Sequence, residues 1–308
     1  MREQQTRNKA RLLDILYLTM AILPFVLCII LKVLTGQESH ELISVTGAPY
    51  YFIIRLPIPG PSAISTIPIS ESQVVSWAVI VSLLGVSLYL TNGISVKGGS
   101  KRQVIAEMLV EKCQEFVDSN MGKRFAGFAP FVAAIMGLSA LSSLSSLLGL
   151  FPPTSDLNTV AGWAILVFIL ITYYKLKGGF VNYLKGFADP IPVFAPFNVI
   201  SEIATPVSMA FRHYGNVLSG VVISAMVSAA LKGLSSLLLG WLPVIGGLGL
   251  LEIGLPAVLS LYFDLFSGCL QAFIFAMLTM LYIANGFPEA EYEARQAKRR
   301  ARKAARAN

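Results

Sequence analysis

Arg212 is the residue of this chain best suited to do chemistry. It stands in the segment Pro206-Val-Ser-Met-Ala-Phe-Arg-His-Tyr-Gly-Asn216, and from Asn198 to Gly233 the only formal charges are Glu202, Arg212 and Lys232. Burying a guanidinium in hydrocarbon costs roughly 2.5 kcal/mol or more, and arginine stays protonated at any relevant pH. A chain that keeps such a charge uses it, and what it offers is attraction for a carboxylate that must pass it within a bilayer. A second ionisable residue, Asp264, is the only acid between Ile253 and Asn285. At helical spacing Ser208, Gly215, Asn216 and Ser219 share the face of Arg212, while Asp264, Ser267, Gly268 and Gln271 form a comparable stripe with Tyr282 further along it. Two antiparallel helices with facing polar stripes would make the wall of an ion path. The same pair, Arg212 and Asp264, could instead form a buried salt bridge that only fixes helix packing.

The elements that must carry these residues are set by the solvent, and composition identifies it. Hydrophobic residues make up 55% of the 308 and charged residues 13%, against about 25% charged in a soluble domain. With a mean hydropathy of +0.68 the chain reads as an all-α polytopic integral membrane protein. A soluble all-α core would need a charged shell that is missing. Cys28, Cys113 and Cys269 have no CxxC spacing, so neither a disulfide framework nor a zinc site is signalled. The two histidines, His40 and His213, lie far apart, so no metal cluster is expected, and no cofactor either. The net charge of +7 owes much to a tail carrying Arg295, Lys298, Arg299, Arg300, Arg302, Lys303 and Arg306. Basic ends beside membrane spans report topology, so nucleic acid is not the expected partner.

A first span is predicted over 12–33, preceded by Arg2, Arg7, Lys9 and Arg11. It is longer than the apolar region of a signal peptide, about 7–15 residues, and reads as an uncleaved anchor. Residues 35–74, with Pro57, Pro59, Pro61 and Pro68, read as an extracytoplasmic loop, and a second span follows over 74–90. Between Asn92 and Arg124, Ile105, Met108, Leu109, Cys113, Phe116 and Val117 recur at helical spacing against Glu107, Glu111, Glu115 and Asp118. That pattern predicts an amphipathic helix at the interface with membrane lipid. Further spans are expected at about 127–150 and 158–175, joined by the tight turn Phe151-Pro-Pro-Thr-Ser-Asp156. The basic loops 92–124 and 175–187 and both basic ends fall on one side, which predicts cytoplasmic termini.

The last two apolar segments, 198–233 and 253–285, are too long for simple spans. At about 1.5 Å per residue each runs to roughly 50 Å, against a hydrocarbon core of about 30 Å. They must lie steeply inclined or break. Pro206 offers a kink in the first, and Gly246, Gly247, Gly249 and Gly254 loosen the connection between them. About six membrane helices result, the last two forming a long, tilted hairpin.

The segment around Arg212 closely resembles the signature of subunit a of F-type ATP synthases, a Ser-Leu-x-x-Arg-Leu-x-Gly-Asn pattern around an essential arginine. Gln271-Ala-Phe-Ile-Phe-Ala-Met-Leu-Thr-Met-Leu-Tyr282 is similar to that family's final-helix motif, and Pro153-Thr-Ser-Asp-Leu-Asn158 to its Pro-Thr-x-Asp-x-Asn turn. Pro196-Phe-Asn-Val-Ile, with Glu202 after it, is a fourth match. The resemblance covers about residues 75–286 and implies a bacterial cell-membrane stator subunit beside a rotating ring of c subunits, held with peripheral-stalk b subunits in the whole ATP synthase. It implies two offset aqueous half-channels for H⁺ or Na⁺, with Arg212 between them. Asp264, Gln271, Asn216, Glu202, Ser208, Tyr282, Asp156 and Asn158 fall on or beside the path. The chain departs from the pattern at His213, where the family usually has Leu, and at Val221, where many members carry Glu. Asp264 occupies a position that is His, Ser or Glu elsewhere, so the access acid is expected on the facing helix. Residues 1–34 (arm and anchor) and 287–308 (basic tail) are additions to the common pattern.

Other classes fit less well. A secondary transporter or channel using Arg212 to bind an anionic substrate would show internal repeats and paired broken helices, and the chain shows no repeat. An intramembrane hydrolase would need a nucleophile–base pair that scattered serines and distant histidines do not supply. The chain has no Gly-x-x-x-x-Gly-Lys-Ser/Thr loop for nucleotide.

Overall fold

A chain with this much apolar surface satisfies its backbone polar groups within helices, and the computed structural model is built almost wholly of them. It describes residues 2–35, 50–55, 66–95, 100–189, 191–239 and 254–307. Pro57, Pro59 and Pro61, His40, Lys97 and the connecting glycines Gly246, Gly247 and Gly249 lie outside the described residues. Helix α1 (Arg2–Leu34) is followed by a hairpin of β1 (Tyr50–Arg55) and β2 (Thr66–Ser70), antiparallel with Ile53 opposite Pro68. Then come α2 (Glu71–Thr91), α3 (Lys101–Met121), α4 (Ala129–Leu144), α5 (Leu157–Leu176), short α6 (Phe180–Gly186) and α7 (Ala195–Leu239). Short α8 (Leu255–Ser260) leads through a π-helical stretch (Leu261–Ser267) into α9 (Gly268–Gly286), and α10 (Glu289–Ala307) closes the described chain.

Six helical stretches are long and apolar enough to cross a membrane: Arg11–Leu34, Glu71–Thr91, Lys123–Leu148, Leu157–Leu176, Pro192–Leu238 and Leu261–Gly286. Their ends follow local chemistry. Ser70, Ser100 and Asp156 cap α2, α3 and α5 by accepting from the backbone N–H of Gln73, Gln103 and Asn158. Gly149, at φ 71°, closes the turn after α4 in a left-handed conformation that a β-carbon would oppose.

Three details differ from the sequence reading. The proline-rich stretch read as loop holds the β1–β2 hairpin, whose run Tyr50-Tyr-Phe-Ile-Ile-Arg55 has strand-forming aromatic and β-branched residues. Helix α7 continues through Pro206 for 45 residues, roughly 67 Å at about 1.5 Å per residue, more than twice the hydrocarbon core. The apolar stripe of α3 is divided: Val117 is buried with Gln103, Ala106 and Met121, while Ile105, Met108 and Leu109 face away from the body.

The main core lies among α4, α5 and α9. Val132, Val160, Val167, Phe275, Ala276, Met280 and Ile283 interdigitate there, and Met209 and Ala210 of α7 pack against them. A smaller cluster of Cys28, Val75, Ala78, Val79 and Leu150 seats α1 on α2. Helix α1 is pinned by polar groups near its middle and at its C-terminal end. Asp14 accepts from Arg102 Nη1 at 2.6 Å and Asn92 Nδ2 at 2.9 Å, and Lys32 pairs with buried Glu71 at 3.3 Å.

Candidate functional site

The packing of α7 divides its circumference. Met209 and His213 are 2% and 0% exposed against the bundle, while Phe211 is 57% exposed. Arg212, Ser208 and Ser219 are also exposed, and a β-carbon built on Gly215 would meet nothing within 4 Å. Phe197, Ile200, Ile203 and Val207 continue the same open side toward the start of the helix. Arg212 therefore projects from a long apolar face that no element of the described chain covers. Arg212 itself takes part in none of the ion pairs among the described residues.

Asn216, one turn beyond Arg212, turns toward the neighbouring helix. Ser267 Oγ donates to Asn216 Oδ1 at 2.8 Å, and Asn216 Nδ2 donates to the Ser267 carbonyl at 3.4 Å. One turn further, a β-carbon on Gly220 would come within 3.0 Å of the Phe263 side chain, so the two helices nearly touch there. This antiparallel register sets Arg212 level with Gln271 and Asp264 near Ser219, roughly 10 Å away along the axis at about 1.5 Å per residue. Asp264 is half-buried and lies inside the π-helical stretch. The wider i→i+5 winding changes the expected stripe: Gln271 is buried in the bundle, and Gly268 packs against Ser143, whereas Asp264 and Ser267 stay at the α7 boundary.

The other predicted residues lie at the two ends. Asp156 caps α5, accepts from Ser72 Oγ at 2.6 Å, and stands beside exposed Asn158, whose N–H it receives. At the opposite end Lys175 Nζ donates to Glu202 Oε2 at 2.6 Å, both side chains largely buried. An open cavity of about 430 Å³ adjoins this pair, lined by Tyr183, Asp189, Asn198 and Glu291 among others. Burial, then the adjacent Glu202 carboxylate, pushes the Tyr183 phenol above its ordinary pKa. Half-buried Tyr282 packs on the core toward that end. Arg212, Ser208 and Asn216 thus share the middle of α7, with one polar group at each end of the bundle.

Sequence reasoning missed two polar partners of these residues and their neighbours. Lys175 appeared only as a topological marker, because its partner Glu202 is 27 residues away. Buried Ser139 of α4, whose Oγ lies 3.2 Å from His213 Nε2, was not noticed. The signal available was the spacing of Ser139, Ser142 and Ser143 on one helix face.

These features define a multi-pass, all-α membrane protein with a lone arginine on the open face of an over-long helix. The chain belongs to the ATP synthase A chain family, whose family model matches residues 73–284. It is similar to ATP synthase subunit a 1 of Crocosphaera subtropica, with 32% identity over 226 residues, 71% of this chain and 88% of that protein. It is also similar to ATP synthase subunit a of Desulforamulus reducens, with 33% identity over 220 residues, 70% of this chain and 78% of that protein. A shorter match, 38% identical over 141 residues, joins it to the sodium ion specific ATP synthase subunit a of Propionigenium modestum, covering 46% of this chain and 42% of that protein. Family membership gives the chain a stator role in the membrane sector of an ATP synthase, in complex with other subunits, and not that of the catalytic subunit.

Proposed function

We propose that residues 75–286 form the ion-translocating body of this stator, carrying H⁺ or Na⁺ through two offset half-channels to and from the carboxylates of a rotating c-subunit ring. Arg212 separates the two paths. Its fixed positive charge favours the ionised carboxylate as it passes and repels cations that would otherwise cross directly. The observation that carries this reading is the open face of α7, on which Arg212 is exposed amid apolar and small residues. A ring helix bearing one carboxylate complements that face in shape and charge.

Each half-channel has its own candidate groups. Toward the extracytoplasmic side are Asp156 and Asn158 at the α5 cap, then Asn216, Asp264 and Gln271 along the hairpin. Toward the cytoplasm the pair Lys175–Glu202, with Ser208 and Tyr282 nearby, borders the open cavity of about 430 Å³. The basic tail and N-terminal arm lie on the cytoplasmic side in this reading, and peripheral-stalk b subunits complete the stator. The similarity to a sodium ion specific relative keeps Na⁺ beside H⁺ as coupling ion. ATP-driven ion uptake by vesicles holding the whole complex, measured with and without Na⁺ at fixed pH, tests the function. Arg212→Ala should abolish uptake while the complex still assembles, and near-normal uptake by that variant would overturn the reading.

A further inference from the structure

Behind the open face of α7, on the side away from Arg212, polar side chains are buried where an apolar core would be expected. Helix α4 contributes Ser139, Ser142 and Ser143, exposed by 0%, 1% and 4%, and Thr154 of the following turn is 0% exposed. Ser143 Oγ donates to Thr154 Oγ1 at 3.4 Å, and two residues past Thr154 stands Asp156, held by Ser72. At the other end of the row Ser139 Oγ meets His213 Nε2 at 3.2 Å. The imidazole is boxed edge-on by Trp163 and Phe275, at centroid distances of 5.8 and 5.6 Å. Gln271 lies between Gly268, which abuts Ser143, and Phe275, so its amide falls on the same buried side of α9.

A stripe of serines alone would be ordinary helix packing, since small residues let membrane helices approach. Two further facts separate this row from that reading. Ser142 Oγ and His213 Nδ1 are both fully buried and have no hydrogen-bond partner among the described residues. A serine hydroxyl in a helix ordinarily bonds back to its own carbonyls, as Ser145 and Ser146 do here. Buried polar atoms left unsatisfied are costly, whereas water in a polar cavity satisfies them. Others of the kind, such as Ser76 Oγ and Thr172 Oγ1, stand apart elsewhere, whereas these two fall along one line of buried hydroxyls, the arrangement a water-carrying path requires.

We propose that this α4 serine row is the access path from the Asp156 end of the bundle, and that His213 is its terminal proton-transfer group. The inference rests on the half-channel reading above and names its route. Hydroxyls and water both donate and accept, so a proton crosses by exchange along Thr154, Ser143, Ser142 and Ser139. The neutral imidazole takes that proton on its bare nitrogen, and the imidazolium then gives up the proton of its other nitrogen. Charge and protons balance, and no other reactant enters. From His213 the way to the open face passes Gln271 and the Asn216–Ser267 pair.

The test is made on the assembled complex in membrane vesicles, with Cys28, Cys113 and Cys269 replaced by Ala. Ag⁺ added from the Asp156 side should block ATP-driven pumping by Ser142→Cys and Ser139→Cys chains and spare Ile135→Cys, buried one turn deeper on the same helix. His213→Leu should lower turnover per assembled complex by on the order of 100-fold, the scale of a lost proton-transfer group. His213→Gln, which keeps a polar side chain of similar reach, should assemble and stay as slow as His213→Leu. Ser139→Cys and Ser142→Cys chains inert to Ag⁺ beside a reactive Asp264→Cys would overturn the route. Unchanged turnover in His213→Gln would overturn the role of His213. Neither result touches the parent reading, which stands or falls separately on Arg212→Ala.

Discussion

Ser267 and Asn216 bind each other across the hairpin of α7 and α9, hydroxyl to amide oxygen at 2.8 Å, with the Asn216 amide returning toward the Ser267 carbonyl at 3.4 Å. The pair fixes which levels of the two helices face each other, and so holds Asp264 two turns from Arg212 instead of against it. Ser267 and Asp264 share the π-helical stretch, a winding that occurs preferentially at functional sites. Asp264 thereby stands on the hairpin as a polar group apart from Arg212.

Asp264→Asn should therefore slow transport without dissolving the complex. Turnover per assembled complex is expected to fall by on the order of 100-fold, while Asp264→Glu and Asp264→His retain part of it. The measurement is pumping normalised to the amount of subunit in the purified complex. A drop in assembly with turnover spared would mark Asp264 as a packing residue only.

The two sides of α7 should differ in what they touch. Ser208 and Gly215 lie on the open face, whereas Met209 is 2% exposed, about 100° around the helix from Ser208. Ser208→Cys and Gly215→Cys should form disulfides with cysteines on the outer helix of the ring under oxidation, and Met209→Cys should not. Gel mobility of the crosslinked product reads this directly, and equal yields around the circumference would remove the facing.

Arg212→Lys should fail nearly as badly as Arg212→Ala. Lysine keeps the charge but replaces a planar fork of five donors with a compact ammonium on a flexible stem. On an open face with no intramolecular ion pair among the described residues, nothing in the chain itself would aim that ammonium. Vesicle pumping should fall to background in both variants, and substantial pumping by Arg212→Lys would show that charge alone suffices.

Much of this site could be read from the chain before its fold. The isolation of Arg212 and the turn that holds Asp156 are local properties: a charge within an apolar run, and a proline-rich break between two apolar segments. The π-helical stretch was hidden because its setting is made by distant groups, Gly220 against Phe263 and Gly268 against Ser143. Spacing computed for a regular α-helix therefore put Asp264 and Gln271 on one face, where the bundle buries Gln271 alone. Pro206 offered a kink, with steep inclination or a break left open; membrane helices tolerate proline when neighbours satisfy the freed carbonyl, and α7 is helical on both sides of it. Lys175 and Glu202 belong to different helices, so no periodicity could join them.

That pair makes its own prediction. Lys175 donates to Glu202 at 2.6 Å with side-chain exposures of 27% and 16%, so neither charge is fully solvated. Glu202→Leu should destabilise the complex by about 1–3 kcal/mol, the usual worth of a hydrogen bond between charged groups. The exchange Lys175→Glu with Glu202→Lys should recover most of that loss. Thermal inactivation of the purified complex measures it. If the exchange restores stability but not pumping, the carboxylate matters to the ion path beyond its bond to Lys175.

The seating of α1 on α2 joins a helix outside the family-matched region, which begins at residue 73, to one almost wholly inside it, and it hinges on Gly85. A β-carbon there would sit 2.7 Å from Ala21 N, 2.9 Å from the Met20 carbonyl carbon and 2.9 Å from Tyr17 O, all rigid backbone. Ser82 Oγ donates to the Ala21 carbonyl at 2.7 Å on the same face, so the two backbones are locked as well as close. Valine at position 85 cannot be accommodated by a side-chain shift. Gly85→Val should force the helices apart at a cost of about 1–3 kcal/mol, typical of overpacking. Cys28 reports the separation, because it is 4% exposed in the α1–α2 cluster. In a chain with Cys113 and Cys269 replaced by Ala, a lipid-permeant maleimide should label Cys28 slowly, and Gly85→Val should raise the labelling rate severalfold. The clasps Asp14–Arg102 and Lys32–Glu71 keep α1 tethered, so the complex should still assemble. Unchanged labelling in Gly85→Val would mean that α1 is not held against α2 by this close approach.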